Sequence, residues 1–273
     1  MARRMQIPRG MTAARGQAAP PDLMRVSTYK LSGGGTYDLS LGESQRSGEY
    51  KNGIGRLLEF PEAALAPELA DYVRLVKACA GTGRSAITAY PGSPTIVGRM
   101  RRSTDRLVLA ETHAREALAL RSTLGRQKLV SILESDGYAA LKAQLPPREN
   151  RGLVLIDPPF ESDAEFDRIL SALETGYERW PTGTYCIWYP LTERAAPLRF
   201  RRNLEGSGIR KVLDVTLSVM PDDTAVGLRG SGLVIVNPPW MLDERLADLL
   251  PDLHRLLVPD GAGSTSVEWW IGE

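Results

Sequence analysis

The chain has 273 residues, 42% hydrophobic and 25% charged, an ordinary globular composition and long enough for one large α/β domain. Its 34 basic and 33 acidic residues nearly cancel, so contact with nucleic acid has to come from a local patch rather than an overall basic field. Two widely separated cysteines and two histidines leave no disulfide framework and no Cys/His metal cluster, and no apolar run reaches the about 18 residues of a membrane span. A reducing cytoplasm, no metal and no membrane are the expectations.

Residues 1–32 combine scattered Arg, Pro and small residues with no sustained period, and read as a poorly ordered N-terminus ahead of a domain running from 33 to 273. Gly33, Gly34 and Gly35 either let the backbone approach a ligand or form a flexible loop; the residues alone leave both open, the loop being commoner. Between 61 and 82, Leu69, Tyr72, Val73 and Val76 recur at helical spacing, with Gly81 as a stop and no strand expected. YPGSP at 90–94 reads as a turn into a short helix, followed by Arg99, Arg101, Arg102 and Arg106. That basic run suits phosphate, although a solvated helix end is the commoner explanation.

Strand and helix then alternate. Residues 107–110 form a strand ending at Glu111, with Thr112 as N-cap of a helix through Leu124. A strand at 128–133 ends near Asp136-Gly137, and a short helix follows at 138–145. Leu153–Ile156 reads as a strand buried on both faces, stopped at Asp157-Pro158-Pro159-Phe160 because prolines cannot donate to a ladder. Ser162-Asp163-Ala164-Glu165 has the form of a capping box ahead of Phe166, Ile169, Leu170, Leu173 and Tyr177 on one helical face. Strands at 183–189, 210–219 and 232–236, helices at 193–204 (interrupted at Pro197) and 241–257, and an edge strand at 266–271 complete the chain. The pattern predicts an α/β fold: a mainly parallel sheet, helices on both faces, and at least one antiparallel strand at the C-terminal end.

Three acids, Glu111, Asp136 and Asp157, end three successive strands. A carboxylate ending the second strand of a doubly wound sheet can bind the ribose hydroxyls of a nucleoside cofactor, and Asp136-Gly137 after the next can face its adenine. For Glu111 alone a helix cap is an equal alternative. Asp157-Pro158-Pro159-Phe160 suits chemistry on an exocyclic adenine amine. If the Asp157 carboxylate and the Pro158 carbonyl each accept one N–H, the nitrogen lone pair localises and can attack an electrophilic methyl, while Phe160 stacks on the base. The bland alternative is a proline turn. Asn237-Pro238-Pro239-Trp240 repeats the design; chain order assigns the chemistry to Asp157, and a structural or base-stacking role to Asn237 through Trp240.

Further islands stand in the chain: SGEYKNGIGRL at 47–57, YPGSP at 90–94, AETH at 110–113, SDGY at 135–138, LPP at 145–147, RGLVLIDPPF at 151–160, GTYCIWYP at 183–190, SGIRK at 207–211 and NPPW at 237–240. In this order, from about 33 to 273, they resemble the bacterial 23S ribosomal RNA adenine-N6 methyltransferases of the RlmJ type. The resemblance implies a Rossmann-like S-adenosylmethionine-dependent methyltransferase fold with a small helical insertion at about 45–103. It implies S-adenosyl-L-methionine as cofactor, held by Ser93, Glu111, Asp136 and Gly137 with Gly33 and Gly35 of the glycine turn. Asp157 is then the catalytic acid, with Pro158 and Phe160 beside it, and 23S ribosomal RNA the partner. A monomer is a separate expectation, not one the resemblance supplies. Other classes consistent with the same loop are a DNA adenine-N6 methyltransferase and a non-catalytic nucleic-acid-binding or external-DNA-utilisation protein.

The front of the chain departs from the family, which has a short helix with an aromatic and histidines, then a first strand ending in an acid, Thr, His, Ala and Gly. Here Tyr29-Lys30-Leu31-Ser32 stands in that place, the acid's position falling at Tyr29 and the histidine's at Leu31. Weak cofactor binding is the expectation, together with residues 1–32 being read out of frame. An acid-Thr-His-Ala-Gly strand in another frame of the upstream DNA is the check, and its absence there would count against the frame change.

Overall fold

The computed structural model describes residues 35–39, 50–80, 87–162, 164–192, 195–221, 224 and 227–273. The N-terminus expected to be poorly ordered, the stretch 29–32 that stands where the family has its first strand, Gly33, and the Gly81 stop all lie outside the described residues.

Period-two alternation generates a sheet with two different apolar faces. In chain order the elements are β1 (Thr36–Asp38), α1 (Arg56–Glu59), α2 (Pro67–Ala80), β2 (Ala89–Pro91), α3 (Ser93–Met100), β3 (Leu107–Glu111), α4 (Ala114–Leu124), β4 (Val130–Glu134), α5 (Gly137–Gln144) and β5 (Leu153–Ile156). There follow α6 (Glu165–Arg179), β6 (Thr184–Pro190), α7 (Ala195–Gly206), β7 (Val212–Ser218), β8 (Gly230–Val236), α8 (Leu242–Leu257) and β9 (Ser264–Ile271). β3 and β4 pair in parallel, and β5-β6-β8-β7-β9 form a five-stranded sheet in which only β5 and β6 are parallel. β1 and β2 make a small antiparallel ribbon.

Val154 and Ile156 of β5, Tyr185, Ile187 and Tyr189 of β6, and Val234 and Val236 of β8 point to one face, against Phe166, Ile169 and Leu173 of α6 and Phe200 and Leu204 of α7. Their neighbours Cys186, Leu233, Ile235, Leu213 and Val215 point to the other, against Leu246 and Leu250 of α8. Leu107 and Leu109 of β3 pack on Leu120 and Leu124 of α4. Helices thus cover both faces, as the alternation predicts.

The insertion has its own core. Leu69, Ala70, Val73 and Val76 of α2 are buried with Ile54 and Leu57, and this cluster packs on Leu249, Leu253, Leu256 and Leu257 of α8. The C-terminal helix is therefore clasped between sheet and insertion.

Several local expectations change. Residues 89–91 are not a turn but the strand β2, because the insertion returns alongside β1 with Asp38 opposite Ala89. β5 is fully buried at Val154 and Ile156 only, Leu153 and Leu155 being half-buried. The sheet is mixed rather than mainly parallel. Among the described residues β3 and β4 pair apart, and in the five-stranded sheet β6, β8, β7 and β9 are antiparallel neighbours, because β7 turns back into β8 with no crossover helix between them. Helix α4 starts at Ala114 with His113, not Thr112, at its N-cap, since the Glu111 carboxylate takes the His113 N–H at 2.7 Å. Pro197 does not interrupt α7; it lies in the first turn, where a missing N–H leaves no intrahelical bond to lose. The capping box is not formed either. Ser162 Oγ accepts the Ala164 N–H at 3.2 Å, while the Glu165 carboxylate, instead of reaching back, turns inward to Tyr138.

Candidate active site

β3 and β4 pair in parallel and carry Glu111 and Asp136 to one carboxyl edge, and Pro158 and Pro159, which follow Asp157 at the end of β5, meet that edge. A cavity of about 260 Å³ opens there, lined by Thr112 and His113 after β3, Ser135 through Tyr138 after β4, and Pro158 and Pro159 after β5.

Glu111 is 1% exposed. Its Oε1 accepts the His113 N–H, and its Oε2 is buried with no hydrogen-bond partner among the described residues. Burial pushes its pKa above the ordinary 4.5, opposed by the hydrogen bond from the His113 backbone. A buried acceptor left open costs about 1–3 kcal/mol unless a donor meets it. The paired hydroxyls of a ribose are such donors, so a nucleoside cofactor fits the residues present. Asp136 caps α5, its Oδ2 accepting the Ala139 N–H at 3.1 Å, and Oδ1 lies 3.7 Å from Arg168 Nη2. Gly137 is buried directly behind it.

Hydroxyl donors need Glu111 ionised, and its raised pKa brings protonation to milder acidity than for an ordinary carboxyl. Affinity for S-adenosylhomocysteine should therefore fall as pH drops through a midpoint above 4.5. In Glu111→Gln, calorimetry should find weak binding with that step gone. A wild-type affinity flat across this range would detach Glu111 from the ribose.

Asp157 is half-buried and Pro158 buried, with Pro159 exposed beside the cavity. Phe160 has φ +48°, a left-handed backbone that turns the chain out of β5's path. Its half-buried ring lies 5.2 Å from Phe166 and 5.8 Å, edge-on, from Trp188. The ring is thus held by aromatic neighbours at the same edge as the cavity.

Gly35 meets the start of α3, whose first residue is Ser93, and neither lines the cavity. The Gly35 carbonyl accepts the Gly92 N–H and the buried Thr95 hydroxyl, both at 2.7 Å, and Gly35 has φ +84°. A Cβ there would press on Leu120 at 3.1 Å, so the position requires glycine twice over. Gly33 lies outside the described residues.

Two sequence alternatives are decided by geometry. Arg101 donates to the Asp105 carbonyl at 3.0 Å and to Gln127 Oε1 at 3.2 Å, Arg102 pairs with Asp105, and Arg106 holds Glu149 through two bonds of 2.9 and 3.1 Å. Arg101, Arg102 and Arg106 are thus engaged by protein partners, and phosphate binding is not needed to explain those three. The second tetrapeptide sits at the other edge of the sheet. β8 runs antiparallel to β6, so Asn237 lies beside the start of β6, where its Nδ2 donates to the Pro181 and Gly183 carbonyls at 2.8 Å each and its own carbonyl accepts from Thr184 Oγ1 at 2.9 Å. Asn237 thus ties this loop to the start of β6, away from Asp157, while Trp240 is 90% exposed.

A family model described as ribosomal RNA large subunit methyltransferase D, RlmJ, matches residues 24–271. The chain belongs to the RlmJ family. Two RlmJ relatives, both named ribosomal RNA large subunit methyltransferase J, agree. The Haemophilus influenzae protein is 44% identical over 238 residues, covering 87% of this chain and 84% of the relative. The Escherichia coli protein is 38% identical over 242 residues, covering 89% and 85%. Among solved structures, protein LPL1258 from Legionella pneumophila superposes with a TM-score of 0.79 at 32% identity, covering 91% of this chain and 89% of that one. The architecture is the Rossmann-like fold of S-adenosylmethionine-dependent methyltransferases, and RlmJ membership makes S-adenosylmethionine the cofactor.

Within this RlmJ chain, sequence reasoning missed Tyr138, Glu165 and Arg168, which also line the cavity. Tyr138 adjoins the Asp-Gly pair and could have been noticed. Glu165 and Arg168 gave no usable signal, because an acid in a first helical turn reads as a cap.

Proposed function

We propose that this chain transfers the methyl group of S-adenosylmethionine to the N6 amine of an adenine in 23S ribosomal RNA, acting as a monomer in the cytoplasm. The observation that carries this reading is Asp157-Pro158-Pro159-Phe160 at the carboxyl end of β5, with Pro158 and Pro159 lining a cavity that Asp136 and Gly137 also line, together with Ala110 and Thr112 on either side of Glu111. The two relatives named as large-subunit ribosomal RNA methyltransferases support it.

When bound, the cofactor supplies an electrophilic methyl group. The residues do the remainder. Glu111 Oε2 takes a ribose hydroxyl proton in a hydrogen bond, and Asp136 with Gly137 faces the adenine end. The Asp157 carboxylate accepts an N–H of the target amine, drawing the nitrogen lone pair out of ring conjugation. Phe160, held between Phe166 and Trp188, offers a face for the target base once it leaves its stack.

Incubation with methyl-tritiated cofactor and naked 23S ribosomal RNA, large ribosomal particles or duplex DNA tests this. Label should appear as N6-methyladenosine in a ribosomal RNA arm. Label in DNA alone, or salt-dependent RNA binding with no methyl transfer in any arm, would overturn it.

A further inference from the structure

The strand ends explain where cofactor and base bind but not what fixes one relative to the other. Methyl transfer is sensitive to this spacing, since about 1 Å of misplacement can cost roughly 10²-fold in rate. The cofactor turn, Ser135 through Tyr138, follows β4, whereas the amine-binding loop follows β5 and ends where α6 begins.

One buried acid joins the two. Glu165, 2% exposed, is the first residue of α6, and its N–H donates to the Ser162 carbonyl at 3.0 Å, closing the loop that starts at Asp157. Its Oε1 accepts the Tyr138 hydroxyl at 2.6 Å, and its Oε2 accepts from Arg168 Nη1 at 3.3 Å. The Arg168 guanidinium lies over the Tyr138 ring at 4.8 Å, and its Nη2 is 3.7 Å from Asp136 Oδ1. Burial, and then Glu165, push the Tyr138 phenol well above its usual range, so Tyr138 remains a donor to the carboxylate. Two residues of the cofactor turn are thereby tied to the first turn of the helix that receives the base-binding loop. A surface ion pair alone would contribute little, but here a buried carboxylate has both oxygens used on groups lining the cavity.

We propose that Glu165, with Tyr138 and Arg168, is a positioning brace that sets the distance between the cofactor turn and the amine-binding loop. Glu165 and Arg168 act through Asp136 and the loop rather than on the reacting atoms. The inference deepens the methyltransferase reading and rests on it for its kinetic arm only.

Tyr138→Phe removes one hydroxyl and keeps the ring under Arg168; Glu165→Gln keeps an acceptor and removes the charge. In both, hydrogen exchange at Phe160 through Ser162 should rise about tenfold, with Ile169 to Leu173 in α6 unchanged. At saturating cofactor and RNA, kcat should fall about tenfold while the Kd for S-adenosylhomocysteine stays within about twofold, and the double variant should be no slower than the slower single. Unchanged exchange at Phe160 through Ser162, or an equal rise throughout α6, overturns the brace. So does an unchanged kcat, or a lost S-adenosylhomocysteine affinity at unchanged kcat, which would make these residues cofactor wall only. If the wild type methylates no adenine, the proposed function fails, while the exchange measurement still decides for or against the brace.

Discussion

Asp157→Ala should lower single-turnover methyl transfer about 10³-fold while leaving S-adenosylhomocysteine affinity within about twofold of wild type. The adenine amine is a poor nucleophile because its lone pair is delocalised into the ring. An acceptor that strengthens its hold as the nitrogen becomes tetrahedral acts on the transition state more than on the ground state, so its loss appears in turnover and not in cofactor binding. Asp157→Asn retains one acceptor oxygen but adds an amide donor, and should fall between wild type and alanine. Calorimetry and a single-turnover assay on the same preparations separate the two quantities. An alanine variant with wild-type turnover would reduce the loop to a proline turn.

The second large effect is on stability. Asp214 of β7 is 5% exposed, and burial pushes its pKa from 3.8 up to about 7. The groups facing it are Tyr189 on β6, which donates to Oδ1 at 2.7 Å, Glu268 opposite it on β9, and Arg201 on α7, which Glu268 engages at 2.8 Å. Tyr189 and Arg201 favour the carboxylate, but burial and Glu268 outweigh them. The folded protein therefore holds a proton on Asp214 that the unfolded chain has already released above 3.8. The stabilisation from this proton is complete below 3.8, declines as pH rises, and is gone once pH passes about 7. Its full size is on the order of 4 kcal/mol. Asp214→Asn keeps the acceptor for Tyr189 and cannot ionise. Relative to this variant, wild type should lose on the order of 5 °C of melting temperature between about pH 5 and about pH 8. Parallel melting curves across that range would show that the site does not titrate in the folded state.

Much of this architecture is legible because strand ends and proline stops are local. Glu111 and Asp136 could be placed on one edge from alternation alone, since parallel strands joined by a helix put like ends together. What could not be read depends on direction and on distant partners. Asn237-Pro238-Pro239-Trp240 has the chemistry of its counterpart, but the antiparallel course of β8 carries it to the opposite edge. Arg106 looks like a phosphate ligand until Glu149, on the far side of α4, β4 and α5, is found beside it. Glu165 has the spacing of a helix cap, and only its burial against Tyr138 reveals its other role. A period locates a side chain on its own element; which element faces it is decided by the whole chain.

The β1–β2 ribbon has a consequence for how the chain tolerates change in length. Asp38 and Ala89 are ladder partners and the Leu39 N–H donates to the Thr88 carbonyl at 2.9 Å, so the chain leaves and re-enters the domain through one closed stem. Once a stem is closed, doubling the chain length it closes off adds only about 0.6 kcal/mol of closure entropy. The geometry at Gly35 and Gly92 is set below the stem and does not register what hangs above it. Insertions and deletions between 39 and 88 should therefore act through the leucine face of α8 that the insertion covers, leaving the catalytic edge in place.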